Sequence, residues 1–321
     1  MRIKILLIII LNYVAGGIKL YKFKVIIVGF GHVGRGVLDA LQESPDMEVV
    51  GIIELPHIIK TIKEEIKNIP IIDNDITELG KVDVAILSID SRKVPEIAPI
   101  YLQQGINTVD AFDIHGESLM QLREDLGKVA RKYSAVSIIS AGWDPGSDSI
   151  IRAVLEINTP KGITYINYGP GMSMGHTVAV KAIEGVDDAI SLTIPKNVGM
   201  HQRLVYVKPK KGYDLESISN KIKNDPYFIH DEVYVFKSDN IRDLIDMGHS
   251  VKIERKGVSG KTHNQRMQYT VSVNNPAVTG QVMVSAARAS LKQKPGCYSI
   301  LEIPLLDFLY GKKEEILSRL I

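Results

Sequence analysis

Between residues 23 and 140, short β-branched apolar runs alternate with longer stretches whose apolar positions recur at helical spacing. The runs are Lys24–Val28, Val49–Ile53, Val82–Ile86, Asn107–Val109 and Val136–Ile139, with a weaker one at Pro70–Ile72 inside Asn68–Glu78. Helical patterns fall between them, at Arg35–Gln42, Val94–Gln104 and Ser118–Lys132. Strands alternating with helices at this spacing predict a parallel sheet with right-handed crossovers, a doubly wound α/β unit.

After Ser149 the period changes. Apolar alternation marks Thr164–Tyr168, Ala189–Thr193, Gln202–Val207, Glu232–Val235, Val251–Ile253 and Gln268–Val273, with few helical stretches between. This predicts a second, mostly antiparallel α+β domain that carries a substrate site. Pro276–Gln293 reads as a helix with Val278, Val282, Ala286 and Ala289 along one face. The expected organisation is a dinucleotide-binding domain over 20–148, a substrate and dimerisation domain over 149–284, and a tail, 285–321, that returns to the first.

Composition narrows the classes. With 321 residues, 24% charged, and a net charge of +2 without like-charge runs, the chain has no electrostatic footprint for nucleic acid. One cysteine, Cys297, excludes an intrachain disulfide and a multi-cysteine metal site, so a reducing, cytoplasmic setting is expected. An apolar run, Ile5 to Leu11, follows Arg2 and Lys4 like a signal peptide but is too short to span a bilayer. No clear cleavage site follows before the first strand, so translation is expected to begin near Leu20 and residues 1–19 to be an upstream extension.

Directly after the first strand stands Gly29-Phe30-Gly31-His32-Val33-Gly34. Glycines at that spacing allow a tight turn, backbone approach to a pyrophosphate and close helix packing, and the following helix aims free N–H groups at phosphates. In this βαβ context the motif predicts a Rossmann dinucleotide site formed by Gly29, Gly31, His32, Val33 and Gly34. Glu54 ends the second strand, where a carboxylate can accept from both ribose hydroxyls and repel a 2′-phosphate. No arginine occupies the next several positions, so Glu54 favours NAD over NADP.

Three further clusters carry chemistry: Val109-Asp110-Ala111-Phe112-Asp113-Ile114-His115, Ser140-Ala141-Gly142-Trp143-Asp144-Pro145-Gly146, and Tyr168-Gly169-Pro170-Gly171-Met172-Ser173-Met174-Gly175-His176. With the glycine fingerprint, and with Thr193 before Pro195, His201-Gln202-Arg203, Met247-Gly248-His249 and Asn274-Asn275-Pro276, the chain resembles the meso-diaminopimelate dehydrogenase family from about Lys22 to Leu309. The resemblance implies a cytoplasmic homodimer in lysine and cell-wall precursor supply. It would oxidatively deaminate the D-centre of meso-2,6-diaminopimelate to L-2-amino-6-oxopimelate and ammonia, and the family habit is NADP. It further implies that Asp113 and Asp144 hold the reacting ammonium and Trp143 walls the pocket. Arg203, Thr193, His249 and Asn275 would hold the distal L-centre and its carboxylate, and Ser173 and Gly175 would line the same cavity. No metal is implied.

That division of labour suits a double zwitterion, since paired carboxylates stabilise an ammonium and a guanidinium grips a carboxylate bidentately. The residues alone do not single out a base. Taken singly they have plainer readings. Asp110 and Asp113 could cap the next helix, Trp143 could be core, Asp144-Pro145-Gly146 could be a turn, and His176 and His201 could be structural.

The chain departs from the family's usual pattern at Glu54-Leu55-Pro56, where two arginines are common, at Ile89-Asp90-Ser91-Arg92-Lys93, and at Met174. Lys93 and Met174 leave open a dehydrogenase of another diamino or D-amino acid. A non-catalytic redox sensor is the remaining alternative, and a zwitterion pocket argues against it.

Overall fold

The computed structural model describes residues 22–73, 76–197, 199–245 and 248–321. The extension expected over 1–19, and Met247, lie outside the described residues. Among the described residues no helix is long and apolar enough to cross a membrane.

The first half builds a seven-stranded sheet. Its strands are β1 (Phe23–Val28), β2 (Met47–Ile53), β3 (Ile71–Ile72), β4 (Val84–Leu87), β5 (Asn107–Asp110), β6 (Val136–Ile139) and, from the C-terminal end of the chain, β13 (Gly296–Ser299). The order is β13-β6-β5-β4-β1-β2-β3, and every pair is parallel. Successive residues of one strand enter opposite cores. Val25 and Ile27 of β1 pack on one face with Val84 and Ile86 of β4, while Ile26 and Val28 pack on the other with Ala85 and Leu87. Burial on both faces explains why these strands read as continuous apolar runs.

Helices α1 (His32–Gln42), α2 (Pro56–Glu65), α3 (Val94–Leu102), α4 (Glu117–Lys132) and α5 (Ser147–Asn158) follow the strands. Helix α4 starts behind Gly116 with no side-chain cap, so neither Asp110 nor Asp113 caps it.

The second sheet has six strands: β7 (Lys161–Met172), β8 (Val186–Asn197), β9 (Met200–Pro209), β10 (Glu232–Lys237), β11 (Gly248–Ser259) and β12 (Thr262–Asn274), in the order β10-β9-β8-β7-β11-β12. All neighbours are antiparallel except β9 and β10. Two helices that the alternation pattern did not disclose, α6 (Met174–Lys181) and α7 (Leu215–Lys223), cover β8 and β9 with Ala179, Val180, Ile218 and Ile222.

Helix α8 (Asn275–Ser290) corrects a sequence expectation. Its buried residues include Thr279, Gly280, Met283, Val284, Ala286, Ala287, Arg288 and Ala289, whereas Val278 and Val282 are only half-buried. The face through Val278, Val282, Ala286 and Ala289 does pack against the cores, but α8 is enclosed on most other sides as well, which a single apolar face does not imply. It touches α1 where Gly36 meets the Pro276 carbonyl and Gly280 meets the Gly36 backbone, and a Cβ on either glycine would collide. A last helix, α9 (Lys313–Leu320), ends the chain.

Candidate active site

At the C-terminal edge of the first sheet the backbone turns at Gly29 (φ +86°). A Cβ on Gly34 would strike the Gly29 carbonyl, so the first and third glycines of the motif are required by close packing. Gly31 has open space where its Cβ would be, and it caps α1 without a side-chain acceptor. Gly31, His32 and Val33 line a cavity of about 340 Å³, so the first-turn N–H groups border a space that suits an anion. Ser88, on the same wall, keeps a buried Oγ without a hydrogen-bond partner. Both features fit a dinucleotide pyrophosphate and ribose.

Glu54 Oε2 accepts from the Phe30 N–H (2.7 Å) and Oε1 from its neighbour Leu55 (2.8 Å), which holds the carboxylate beside the glycine turn. The structure also brings up an arginine from elsewhere in sequence. Arg35 lies over the Phe30 ring, 4.9 Å from its centroid, paired with Glu65.

The same cavity contains Asp113, Trp143, Asp144, Ser173, Gly175, His249 and Asn275. A second cavity of about 480 Å³ shares Asp113, Asp144, Ser173 and His249 as walls and extends to Thr193 and Arg203. All nine residues expected at the substrate end thus meet in two adjoining spaces. Sheet register explains the far end. His249 of β11 pairs with Gly171 of β7, Gly171 with Thr193 of β8, and Thr193 with Arg203 of β9. Directly paired residues project from the same face, so one row across four strands presents an imidazole, a gap, a hydroxyl and a guanidinium. The gap is obligatory, since a Cβ on Gly171 would strike the Gly248 carbonyl.

Asp113 is held firmly. Its Oδ1 accepts from Ser91 Oγ (2.6 Å) and from the Tyr227 hydroxyl (3.2 Å). A Cβ at Gly175 would press on Oδ2 at 2.5 Å, so glycine there keeps that oxygen accessible. Asp144 lies under different forces. Burial and the adjacent Asp148 carboxylate push its pKa up to about 7, against the opposing pull of Arg152 and a hydrogen bond from Tyr168. Trp143 is 4% exposed and packs edge-on to His249 (5.3 Å between centroids), so it is core and pocket wall together.

The sequence reading gave no site role to Ser91, Arg92, Tyr168, Tyr227 or Asp231, all of which border these cavities. Of the departing loop Ile89, Asp90, Ser91 and Arg92 line the first cavity, whereas Lys93 is exposed and lines neither. Met174 does line the first cavity.

Asp110 works from behind. Its buried Oδ1 accepts from Phe112 N (2.9 Å) and Ser140 N (3.2 Å), while Ser140, at φ +53°, donates from Oγ to the Phe112 carbonyl (2.8 Å). This latch ties the Asp113 loop to the Trp143-Asp144 loop. Burial pushes the Asp110 pKa up to about 7 from 3.8. A carboxyl that holds its proton more tightly when folded supports stability below its unfolded pKa, and that support is lost as pH rises through the folded value. Asp110→Asn should therefore flatten the decline in stability between about pH 4 and 7, as measured by denaturant melts across that range. An unchanged slope would show that Asp110 does not titrate there.

Comparisons with known proteins agree with this geometry. Residues 142–200 match the family model described as the diaminopimelic acid dehydrogenase C-terminal domain, and residues 24–113 match the semialdehyde dehydrogenase NAD-binding domain. The meso-diaminopimelate D-dehydrogenase of Bacteroides fragilis is 51% identical over 94% of this chain and 99% of its own. The chain belongs to the meso-diaminopimelate dehydrogenase family. Among solved structures, the Corynebacterium glutamicum diaminopimelate dehydrogenase in complex with diaminopimelate superposes with a TM-score of 0.82 at 27% identity, covering 94% of this chain and 99% of that one. An engineered D-amino acid dehydrogenase bound to NADP+ also scores 0.82, at 26% identity, covering 94% and 100%. The parallel Rossmann sheet and the second, mixed α+β sheet are those of this family.

Proposed function

We propose that this protein catalyses the NAD-dependent oxidative deamination of the D-centre of meso-2,6-diaminopimelate, giving L-2-amino-6-oxopimelate, ammonia and reduced cofactor. The observation that carries the reading is the meeting of three chemistries in adjoining cavities. These are the glycine-turn helix terminus, the carboxylates Asp113 and Asp144, and the row His249, Thr193, Arg203. In this reading 20–148, with the 285–321 tail, carries the cofactor, while 149–284 carries the substrate and the contact of a homodimer. Exposed Val154, Ile157 and Ile163 provide an apolar surface for that contact.

The bound nicotinamide supplies the hydride acceptor. Asp113, pinned by Ser91 and Tyr227, orients the reacting ammonium through its accessible oxygen, and Trp143 and Met174 wall the cavity around it. Asp144, ionised above about pH 7, removes the ammonium proton so that the amine lone pair can assist hydride departure. After Asp144 has released that proton to solvent, its carboxylate takes a proton from the water that adds to the imine carbon, and returns it to the nitrogen as the C–N bond breaks and ammonia leaves. Ser173 borders both cavities, and Gly175 and Asn275 line the first of them. The test is substrate deuterated at the D-centre. The reading requires the label in the reduced nicotinamide, with ammonia and reduced cofactor formed one to one. Label retained in the amino acid would refute it.

Arg203→Lys should raise KM roughly tenfold and leave kcat less affected, because lysine cannot engage Asp231 and Thr193 and also present a planar fork. An unchanged KM would place the distal carboxylate elsewhere.

A further inference from the structure

We propose that Asp231 anchors the distal ammonium of the substrate, so that the Arg203–Asp231 ion pair reads the distal end as a zwitterion. The inference rests on the diamino diacid reading above and adds a specificity-determining residue to it. Asp231 borders the second cavity with its side chain 14% exposed. Its Oδ2 accepts from Arg203 Nε (2.6 Å) and faces His176 Nε2 (3.4 Å), and its Oδ1 lies 3.1 Å from His201 Nε2.

Those contacts do not saturate it. His201 Nε2 is also 3.2 Å from Arg203 Nη2. It can donate to Asp231 or accept from Arg203, and a single ring nitrogen cannot do both. Burial, assisted by nearby Arg203, lowers the His176 pKa and keeps the ring neutral, although its hydrogen bond to Asp231 opposes this. With Ser173 Oγ 2.8 Å from Nδ1, its one N–H can point at Asp231. A carboxylate has about four lone-pair sites, so acceptor capacity remains on Oδ1. Burial alone would raise the Asp231 carboxyl, but hydrogen bonds from His176, His201 and Arg203 outweigh it and hold the group well below the usual range. Asp231 is therefore a permanent anion at neutral pH.

Charge balance decides what such a subsite prefers. Arg203 alone would attract any distal carboxylate, including that of a monoamino diacid. With Asp231 beside it the pair is neutral, and a ligand offering only a carboxylate faces a nearby like charge. A ligand offering carboxylate and ammonium on one carbon matches both members.

The test compares meso-2,6-diaminopimelate with D-2-aminopimelate, which keeps both carboxylates and lacks only the distal amine. The wild-type protein should favour the diamino acid at least tenfold in kcat/KM (roughly 1.4 kcal/mol). Asp231→Asn should lose at least about tenfold more on meso-2,6-diaminopimelate than on D-2-aminopimelate. Equal losses on both would show that Asp231 only orients Arg203 and would overturn the proposal. Wild-type rates within about threefold of each other would overturn it without any variant, so poor folding of Asp231→Asn does not shield it. Turnover of neither compound would remove the diamino diacid reading and this proposal together, a result distinct from an unselective enzyme.

Discussion

Asp144→Ala lowers kcat/KM on meso-2,6-diaminopimelate by at least about 100-fold, or about 2.7 kcal/mol of transition-state stabilisation. The variant removes the carboxylate that burial and Asp148 push up to about 7. It also removes the acceptor of the Tyr168 hydroxyl, while Arg152 keeps its pair with Asp148 (3.1 Å). The wild-type pH profile carries the same claim. A base titrating near 7 holds its proton below that pH, so kcat/KM should rise through about 7 and then level on that limb. Asp144→Asn should abolish that inflection. Activity within about threefold of wild type in either variant would take Asp144 out of the chemistry.

Cofactor choice should swing by about 100-fold between the wild type and the double variant Glu54→Ser, Leu55→Arg. The wild-type protein should prefer NAD at least about tenfold, because the Glu54 carboxylate is fixed at the glycine turn by the Phe30 and Leu55 N–H groups. Like charges about 4 Å apart at an effective dielectric near 20 repel by roughly 4 kcal/mol. A third of that, after screening, is about tenfold in affinity. Arg35 is the nearby cation that the local sequence did not disclose, and it is paired with Glu65 at the surface. Leu55 is 49% exposed ahead of α2, so arginine fits there without disturbing the core. Ratios of kcat/KM for the two cofactors measure the swing. A wild-type preference for NADP would mean that Arg35 leaves Glu65 and overrides Glu54.

The parallel sheet was legible because its strands are buried on both faces, and the glycine turn because only glycine fits Gly29 and Gly34. The expected site residues proved to be neighbours, yet their adjacency could not be read from periodicity. Thr193, Arg203 and His249 meet through sheet register, which joins the consecutive strands β8 and β9 to β7 and, far along the chain, β11. Asp231 was invisible for another reason. It lies in a turn segment after Tyr227 and Phe228, where no helical or strand period marks a side chain as inward-facing. The aromatic and acidic cluster from Tyr227 to Asp231 was its single cue. Helix α8 misled because close contact through Gly36 and Gly280 encloses more of its circumference than an amphipathic face implies.

The central claim is that one pocket reads both ends of a diamino diacid. Initial rates with NAD on the meso, LL and DD isomers of 2,6-diaminopimelate, beside D-lysine and D-ornithine, test it most directly. The account predicts strong turnover of the meso isomer, at least about 100-fold below it for D-lysine and D-ornithine, and none for the LL isomer, which has no D-centre. Turnover of D-lysine with none of the meso isomer would contradict it.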